Sequence, residues 1–434
     1  MKTILQAGTT GVGPYHPKSD FVSLHVKLTS MAKALSLLPV LGLMLNTAAA
    51  ADSAITFKKT RLTDQFLSEG AAVGDFNHDG HEDIVAGWQW FAGPDFKTAH
   101  EFNPPPAKPY DGAGGYSDYF LTFVHDFNGD GWDDILVYSW PGKEAAWYEN
   151  PKGRGGHWFK HGILAEADNE SPTIGDMNGD GQPELICHTG GRFGFAEGDW
   201  AHPERPWKFV AISPEDKKHI FRYTHGYGFG DINGDGKPDI LEKNGWWEQP
   251  KDYHTGEQWK FHKVPFAPEG SPGGAHVLVY DANGDGLNDV ITSWDAHGYG
   301  LAWYEQVRTG GEIAFNEHIL VNTKPEDNKH GVKFSQIHAL ALADINGDGV
   351  KDVVTGKRFW AHGPSKDAEP GAPAVLYWFE LKRAKDHAAE FIPHQIDDDS
   401  GVGTEITAAD VNGDGRLDVI SSNKKGLSVF IQQK

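Results

Sequence analysis

The sequence predicts an all-β fold: a seven-bladed β-propeller of four-stranded antiparallel blades, with an N-terminal strand closing the last blade. Three observations predict it. One short acidic loop recurs seven times. Apolar, β-branched and aromatic segments recur at fixed places before and after each loop. The composition suits short strands and tight turns, with 53 Gly, 25 Pro and 15 Trp among 434 residues.

The loop reads Asp-x-Asn-x-Asp-Gly-x-x-Asp, with Glu in the last position of the third copy. Its first aspartates are 51, 50, 55, 50, 63 and 66 residues apart. Oxygens at positions 1, 3, 5 and 9, with the carbonyl of position 7, can surround a hard cation such as Ca²⁺, and Gly at position 6 permits the sharp turn. The expected ligands are Asp75, Asn77, Asp79 and Asp83, then Asp126, Asn128, Asp130 and Asp134. They continue as Asp176, Asn178, Asp180 and Glu184, and as Asp231, Asn233, Asp235 and Asp239. The last three sets are Asp281, Asn283, Asp285 and Asp289; Asp344, Asn346, Asp348 and Asp352; and Asp410, Asn412, Asp414 and Asp418. An EF-hand would need Glu at position 12 and flanking helices. Here position 12 is Ala86, Val137, Cys187, Glu242, Thr292, Thr355 and Ser421, and the residues after position 9 are β-branched and apolar. Each loop therefore joins two strands. Up to seven structural Ca²⁺ are expected, and they would move the formal net charge of −22 to −8.

The remaining strands follow in order. Segments such as AAWYENP (145–151), GWWEQP (245–250) and LAWYEQ (301–306) follow a loop. Segments such as HWFKHGIL (157–164), WKFHKV (259–264) and AEFIPHQI (389–396) precede the next. Four strands per repeat of this length make a propeller blade, which buries its faces only against neighbouring blades. After the seventh loop the chain has room for two more strands, so ITFKKTRL (55–62) is expected to supply the missing outer one.

These loops and strands resemble the FG-GAP/VCBS repeat proteins, whose Ca²⁺ loops also occur in integrin-α propellers. The Phe-Gly and Gly-Ala-Pro signatures are mostly absent, Phe229-Gly230 being a partial case. Within that group the chain looks like the propeller part of aldos-2-ulose dehydratase, and more loosely like propeller polysaccharide lyases. That resemblance implies a carbohydrate substrate and β-elimination chemistry.

Residues 1–50 read as an N-terminal extension and signal peptide, and 51–434 as a single propeller domain. In Met31–Ala51, Lys33 supplies the positive region and Leu35–Leu45 the apolar core, with cleavage near Ala50. The start is Met1 or Met31. The expected destination is the periplasm or the exterior. The acidic surface disfavours nucleic acid, and no apolar run is long enough for membrane insertion. The mature chain has one cysteine, Cys187, so it forms no intrachain disulfide.

The residue six before each loop's first aspartate marks the far end of the first strand of the blade. It is Glu69, Phe120, Glu170, His225, Ala275, His338 and Thr404. At equal height around an axis, Glu69, Glu170, His225 and His338 would converge. Imidazole with carboxylate suits an additional transition metal such as Zn²⁺ or Mn²⁺, or acid–base work. The long insertions, including Asn322–Gln336 and Ala361–Pro373, fall on that same face. The candidate catalytic set is His225, His338 and Glu170 to hold a metal or polarise a carbonyl, and His297, His362 or Tyr119 as base and acid. Arg358 and Lys357 complete it as anion holders. Paired carboxylates at Glu69 and Glu170 offer glycoside hydrolysis as a variant. The alternative to a carbon–oxygen lyase is a non-catalytic module that binds carbohydrate or a protein partner.

Overall fold

A computed structural model describes residues 54–434; the expected signal peptide lies outside them. Those residues form antiparallel sheets, five of four strands and one of seven. The first sheet comprises Ala72–Gly74, Asp83–Ala86, Gln89–Ala92 and Thr98–Glu101. The seven-stranded sheet is two four-stranded patterns sharing one strand, Phe159–Gly175. Its first half pairs with Lys143–Glu149 and its second with Glu184–Thr189. The last sheet takes Thr407–Ala409, Asp418–Asn423 and Gly426–Gln433 from the C-terminal end and Thr56–Thr63 from the start of the described chain. The register Thr56↔Gln433 to Thr63↔Leu427 bears out the expected pairing of N-terminal and final strands.

The first strands of the sheets meet one another. Tyr227–Gly230 contacts Val277–Tyr280, which contacts Leu340–Ala343, which contacts Thr407–Ala409. Thr407 Oγ1 donates to the Ala71 carbonyl at 2.6 Å, linking the last sheet to the first. Gly228 is required by this approach, because a Cβ there would collide with the Val277 carbonyl. Between the sheets lies the core, in which Trp147, Trp246 and Phe379 are fully buried.

Each acidic loop turns at its position-6 glycine, where φ lies between 80° and 87°. The position-9 carboxylates are wholly buried. Each accepts a hydrogen bond from the amide of position 2, as Phe76 N donates to Asp83 Oδ2 at 2.9 Å. Six of them also accept from an amide in or just after the third strand, as Gln306 N donates to Asp289 Oδ1 at 2.8 Å. Position 9 thus ties the loop to its own sheet. An Asn or Gln in or just after the third strand ties one sheet to the previous loop. Asn150, Gln249, Gln306 and Gln432 donate side-chain N–H to the carbonyls of Phe76, Met177, Ile232 and Ile345.

A second recurring device explains many of the histidines. Trp90–His100, Trp147–His161, Trp246–His262, Trp303–His318 and Trp378–His394 stack across the third and fourth strands, with centroids 3.9–4.4 Å apart. These pairs cover the tryptophan faces of the outer strands.

Candidate functional site

Glu69, His225 and His338 come just before the first strands of their sheets, and Glu170 lies within the shared strand. The acidic loops follow the other ends of these strands, so the two sets of groups are separated by the strand length. The structure brings the four residues together around Arg358. Its Nε donates to Glu69 Oε2 at 3.3 Å and its Nη1 to Glu170 Oε2 at 3.2 Å. His225 Nε2 lies 3.5 Å from the same Glu170 oxygen, and Lys424 Nζ lies 3.8 Å from Glu69 Oε1. The result is a buried row of alternating charge.

Against this row lie three imidazoles. One ring nitrogen from each of His225, His297 and His338 falls within 4.8 Å of the others. A second cluster, His297, His362 and Asp367, meets the same test. Asp367 accepts from the His362 amide at 2.8 Å and sits 2.8 Å from its Nδ1, which leaves the His362 Nε2 free. Among the described residues these are the sites where three His, Cys, Asp or Glu donors approach so closely.

Burial sets the charge states. Burial would raise the Glu170 carboxyl, but His225 and Arg358 beside it prevail and hold it down at about 2. Burial pulls His297 down to about 3, helped by His225 and Arg358, and carries His338 well below its usual range. Both imidazoles are therefore neutral at pH 7 and can offer a lone pair. Burial works against the Arg358 cation, but Glu69 and Glu170 outweigh it and raise its pKa.

Unpartnered buried atoms gather here. Glu69 Oε1, Arg358 Nη2, His225 Nε2, His297 Nδ1 and both nitrogens of His338 make no hydrogen bond. Folded proteins leave few buried polar atoms unpaired, so these atoms have bonding capacity that ordered water, a ligand or an ion would satisfy.

Sequence reasoning missed the support. Gln336, at φ 59°, carries a left-handed backbone and ties four segments together. Its amide donates to the Gly298 carbonyl at 2.7 Å, and its own carbonyl accepts from the Arg358 amide at 2.9 Å. Its side chain accepts from Ala361 N at 3.2 Å and donates to the Ala368 carbonyl at 3.1 Å. One residue thus fixes the backbones that carry His297, His338, Arg358, His362 and Asp367. Asp367 was also missed. It lies in the long 361–373 segment, which no repeat pattern marks.

Two candidates fall elsewhere. Lys357 is buried, with Nζ donating to Ser335 Oγ at 2.9 Å, and burial lowers it to about 8. Its neighbour Arg358 points the other way, as alternate residues of extended chain do. Tyr119 packs in the hydrophobic core, donating to the Pro104 carbonyl at 3.2 Å and accepting from Asn103 at 2.6 Å. Tyr116 takes the place by the cluster instead, donating to the Ala361 carbonyl at 2.7 Å.

At the loops the donor set fits a hard cation. In the first loop, Asp75 and Asn77 oxygens already turn inward to accept from Asp79 N and Gly80 N. The position-9 carboxyls are pushed up by burial and then by the loop aspartates, to about 6 for Asp83 and about 8 for Asp134. This crowding of negative charge is what a divalent ion would relieve.

The family model described as FG-GAP-like repeat matches residues 126–187, which span the second loop to the third. No curated protein matches the chain. Among solved structures, rhamnogalacturonan lyase YesW aligns with TM-score 0.42 at 13% identity, covering 86% of this chain and 72% of its own. The exotype rhamnogalacturonan lyase YesX gives TM-score 0.41 at 13% identity with the same coverage. The Tc holotoxin pore of Photorhabdus luminescens gives 0.37 at 15% identity; 72% of this chain aligns with 14% of that one.

Proposed function

We propose that the protein is a secreted, Ca²⁺-stabilised seven-bladed propeller that acts on carbohydrate as a lyase or dehydratase, by β-elimination on an oxidised sugar or uronate. Its site is the His/Glu/Arg cluster at the strand ends away from the acidic loops. The seven-bladed ring is supported by the contacts between first strands and by the Thr407–Ala71 hydrogen bond. In the described residues no helix is long and apolar enough to cross a membrane.

The observation that carries the reading is the convergence of three imidazoles with unpartnered nitrogens on a buried Glu–Arg–Glu row. His225, His297 and His338 would hold a transition-metal cation, which supplies Lewis-acid polarisation of a carbonyl or carboxylate when bound. Glu170 keeps His225 oriented through their close approach. Arg358 and Lys424 offset the negative charge that develops as the proton beside the carbonyl leaves. The His362–Asp367 pair supplies the base. Asp367 holds the ring through Nδ1, so Nε2 takes the proton. The C–H electrons form the new double bond, the β C–O bond breaks, and the leaving oxygen takes up a proton, which the protonated His362 can return. At the loops, oxygens of positions 1, 3, 5 and 9 would hold Ca²⁺.

The test is a screen of uronates and ketosugars for the ultraviolet absorbance of an unsaturated product, with metal analysis after mild chelation and Ca²⁺ reloading. We expect turnover that His338→Ala abolishes, and a bound transition metal that the same variant loses. Binding of sugars with no turnover, and no metal besides Ca²⁺, would overturn the lyase reading in favour of a binding module.

A further inference from the structure

We propose that a cavity between the third and fourth repeats binds an organic ammonium ion, with Glu242 as the counter-charge and aromatic rings as the walls. This site is separate from the His/Glu/Arg cluster and does not depend on the lyase reading. The first pointer lies in the repeat itself. Position 12 of the acidic loops is Ala86, Val137, Cys187, Thr292, Thr355 and Ser421 in six copies, each uncharged and at most 4% exposed. In the fourth copy it is Glu242, at 6% exposed. The strand Asp239–Glu242 thus sets a buried carboxyl where the matching strands bury uncharged side chains.

This carboxyl has no ionic partner among the described residues. Its Oε2 accepts from Asn244 N at 3.0 Å and from Asn244 Nδ2 at 2.9 Å, while Oε1 makes no hydrogen bond. The other acids on the cavity wall are already paired. Asp216 Oδ2 lies 2.7 Å from His219 Nδ1, and Glu215 lies 3.7 Å from Arg192 Nη2 and 3.5 Å from Lys217 Nζ. Lys243 follows Glu242 in the chain, but its Nζ donates to the Ser271 carbonyl at 3.3 Å. Burial pushes the Glu242 carboxyl up to about 7, against the hydrogen bonds of Asn244 and the charge of Lys243. A lone carboxyl enclosed in this way weakens a fold, and a cation beside it reverses the effect.

Glu242 lines a cavity of about 740 Å³, a size that suits a small molecule. Phe193, Phe221, Trp247 and Phe261 line it too. Trp247 and Phe261 pack together, with ring centroids 4.7 Å apart, as one wall. Phe221 belongs to the connection between strands Lys208–Ala211 and Tyr227–Gly230. It is 52% exposed and Phe261 37%, two of the four large apolar side chains left exposed among the described residues. Ring faces attract an ammonium group and cover the carbon frame that carries it. A neutral sugar would cover the rings but leave the carboxyl without a counter-charge, and an anion would meet Glu242 as a like charge. A primary ammonium satisfies both parts of the site, since its N–H can donate to Glu242 Oε1.

The experiment titrates the full chain by calorimetry near neutral pH, with Ca²⁺ present to occupy the acidic loops. It uses two matched pairs of probes: cyclohexylammonium against cyclohexanol, and glucosamine against glucose. At least one amine is expected to bind about tenfold or more tightly than its neutral counterpart. Tighter binding of glucosamine than of cyclohexylammonium would make the ligand an amino sugar, and the reverse an apolar amine. Glu242→Gln keeps an oxygen for Asn244 and should bring the amine within about twofold of its neutral counterpart, with no loss of melting temperature. Phe221→Ala should weaken the amine by at least about threefold. Phe159→Ala, which removes an exposed ring elsewhere, should leave it unchanged. Amines that bind no more tightly than their neutral counterparts, an amine preference that survives Glu242→Gln, or no binding by any probe would overturn the site.

Discussion

Replacing Arg358 by Met tests whether the charged row is a structural unit. The side chains are almost wholly enclosed: Arg358 is 1% exposed, Glu69 0% and Glu170 7%. Taking away the guanidinium leaves the two buried carboxylates with only the longer approaches of Lys424 to Glu69 and His225 to Glu170, a change that costs about 3–5 kcal/mol. Roughly 380 described residues at about 2.1 cal/mol/K each give an unfolding entropy near 0.8 kcal/mol/K. The melting temperature should then fall by about 4–6 °C, read by scanning calorimetry. Adding Glu69→Gln and Glu170→Gln to Arg358→Met removes the stranded charges and should recover at least half of the loss. A drop under about 1 °C for Arg358→Met alone would refute the reasoning, because the carboxylates would then have found other partners.

Further outcomes follow from the loops. Gln306→Ala frees the buried carbonyls of Ile232 and Asn288, which its Nε2 now serves at 3.1 and 2.6 Å. It should cost about 2–4 kcal/mol by urea unfolding, while the exposed Gln433→Ala stays near neutral. The cation-free protein should also lose stability as pH rises. Asp83, Asp134, Asp239 and Asp352 are raised by burial first, to about 6, 8, 7 and 7, and Glu405 to about 8. Groups with raised folded pKa bind protons more tightly when folded. Their contribution is whole below the unfolded value near 4 and fades as pH passes through 6–8. Melting scans at pH 5 and 8.5 should show a fall without Ca²⁺ and a smaller one with it. A cation-free protein equally stable at both pH values, or one indifferent to Ca²⁺, would count against the loops as ion sites.

How far the sequence could be read depended on periodicity. The loops, the strands beside them and the pairing of Thr56–Thr63 with the last strand were legible, because each repeats or completes a repeat. Counting back six residues found Glu69, Glu170, His225 and His338, since strand ends at matching register must meet when the strands share an axis. That rule also pointed at Phe120 and Thr404, which are buried packing groups. Asp367 and Gln336 escaped it because they sit in insertions of irregular length. Lys357 and Arg358 could not be separated without knowing which way the first of them points. The fourth-strand histidines were read only as part of their strands, and the structure stacks five of them on tryptophan. Position 9 looked like a metal ligand alone, though its carboxylate is also held by backbone amides that no sequence pattern reveals.

The uninterrupted strand Phe159–Gly175 has a mechanical consequence. Elsewhere a connecting segment separates consecutive sheets and can absorb a twist or a nick. Here two sheets share one backbone, residues 159–167 pairing with one and 168–175 with the other, so any shear between them must be carried by the peptide bonds around Asn169, where φ is 109°. Glu170 follows directly on that joint, so its carboxylate holds a place common to both sheets, while Gln336 separately ties down the segment that carries His362 and Asp367.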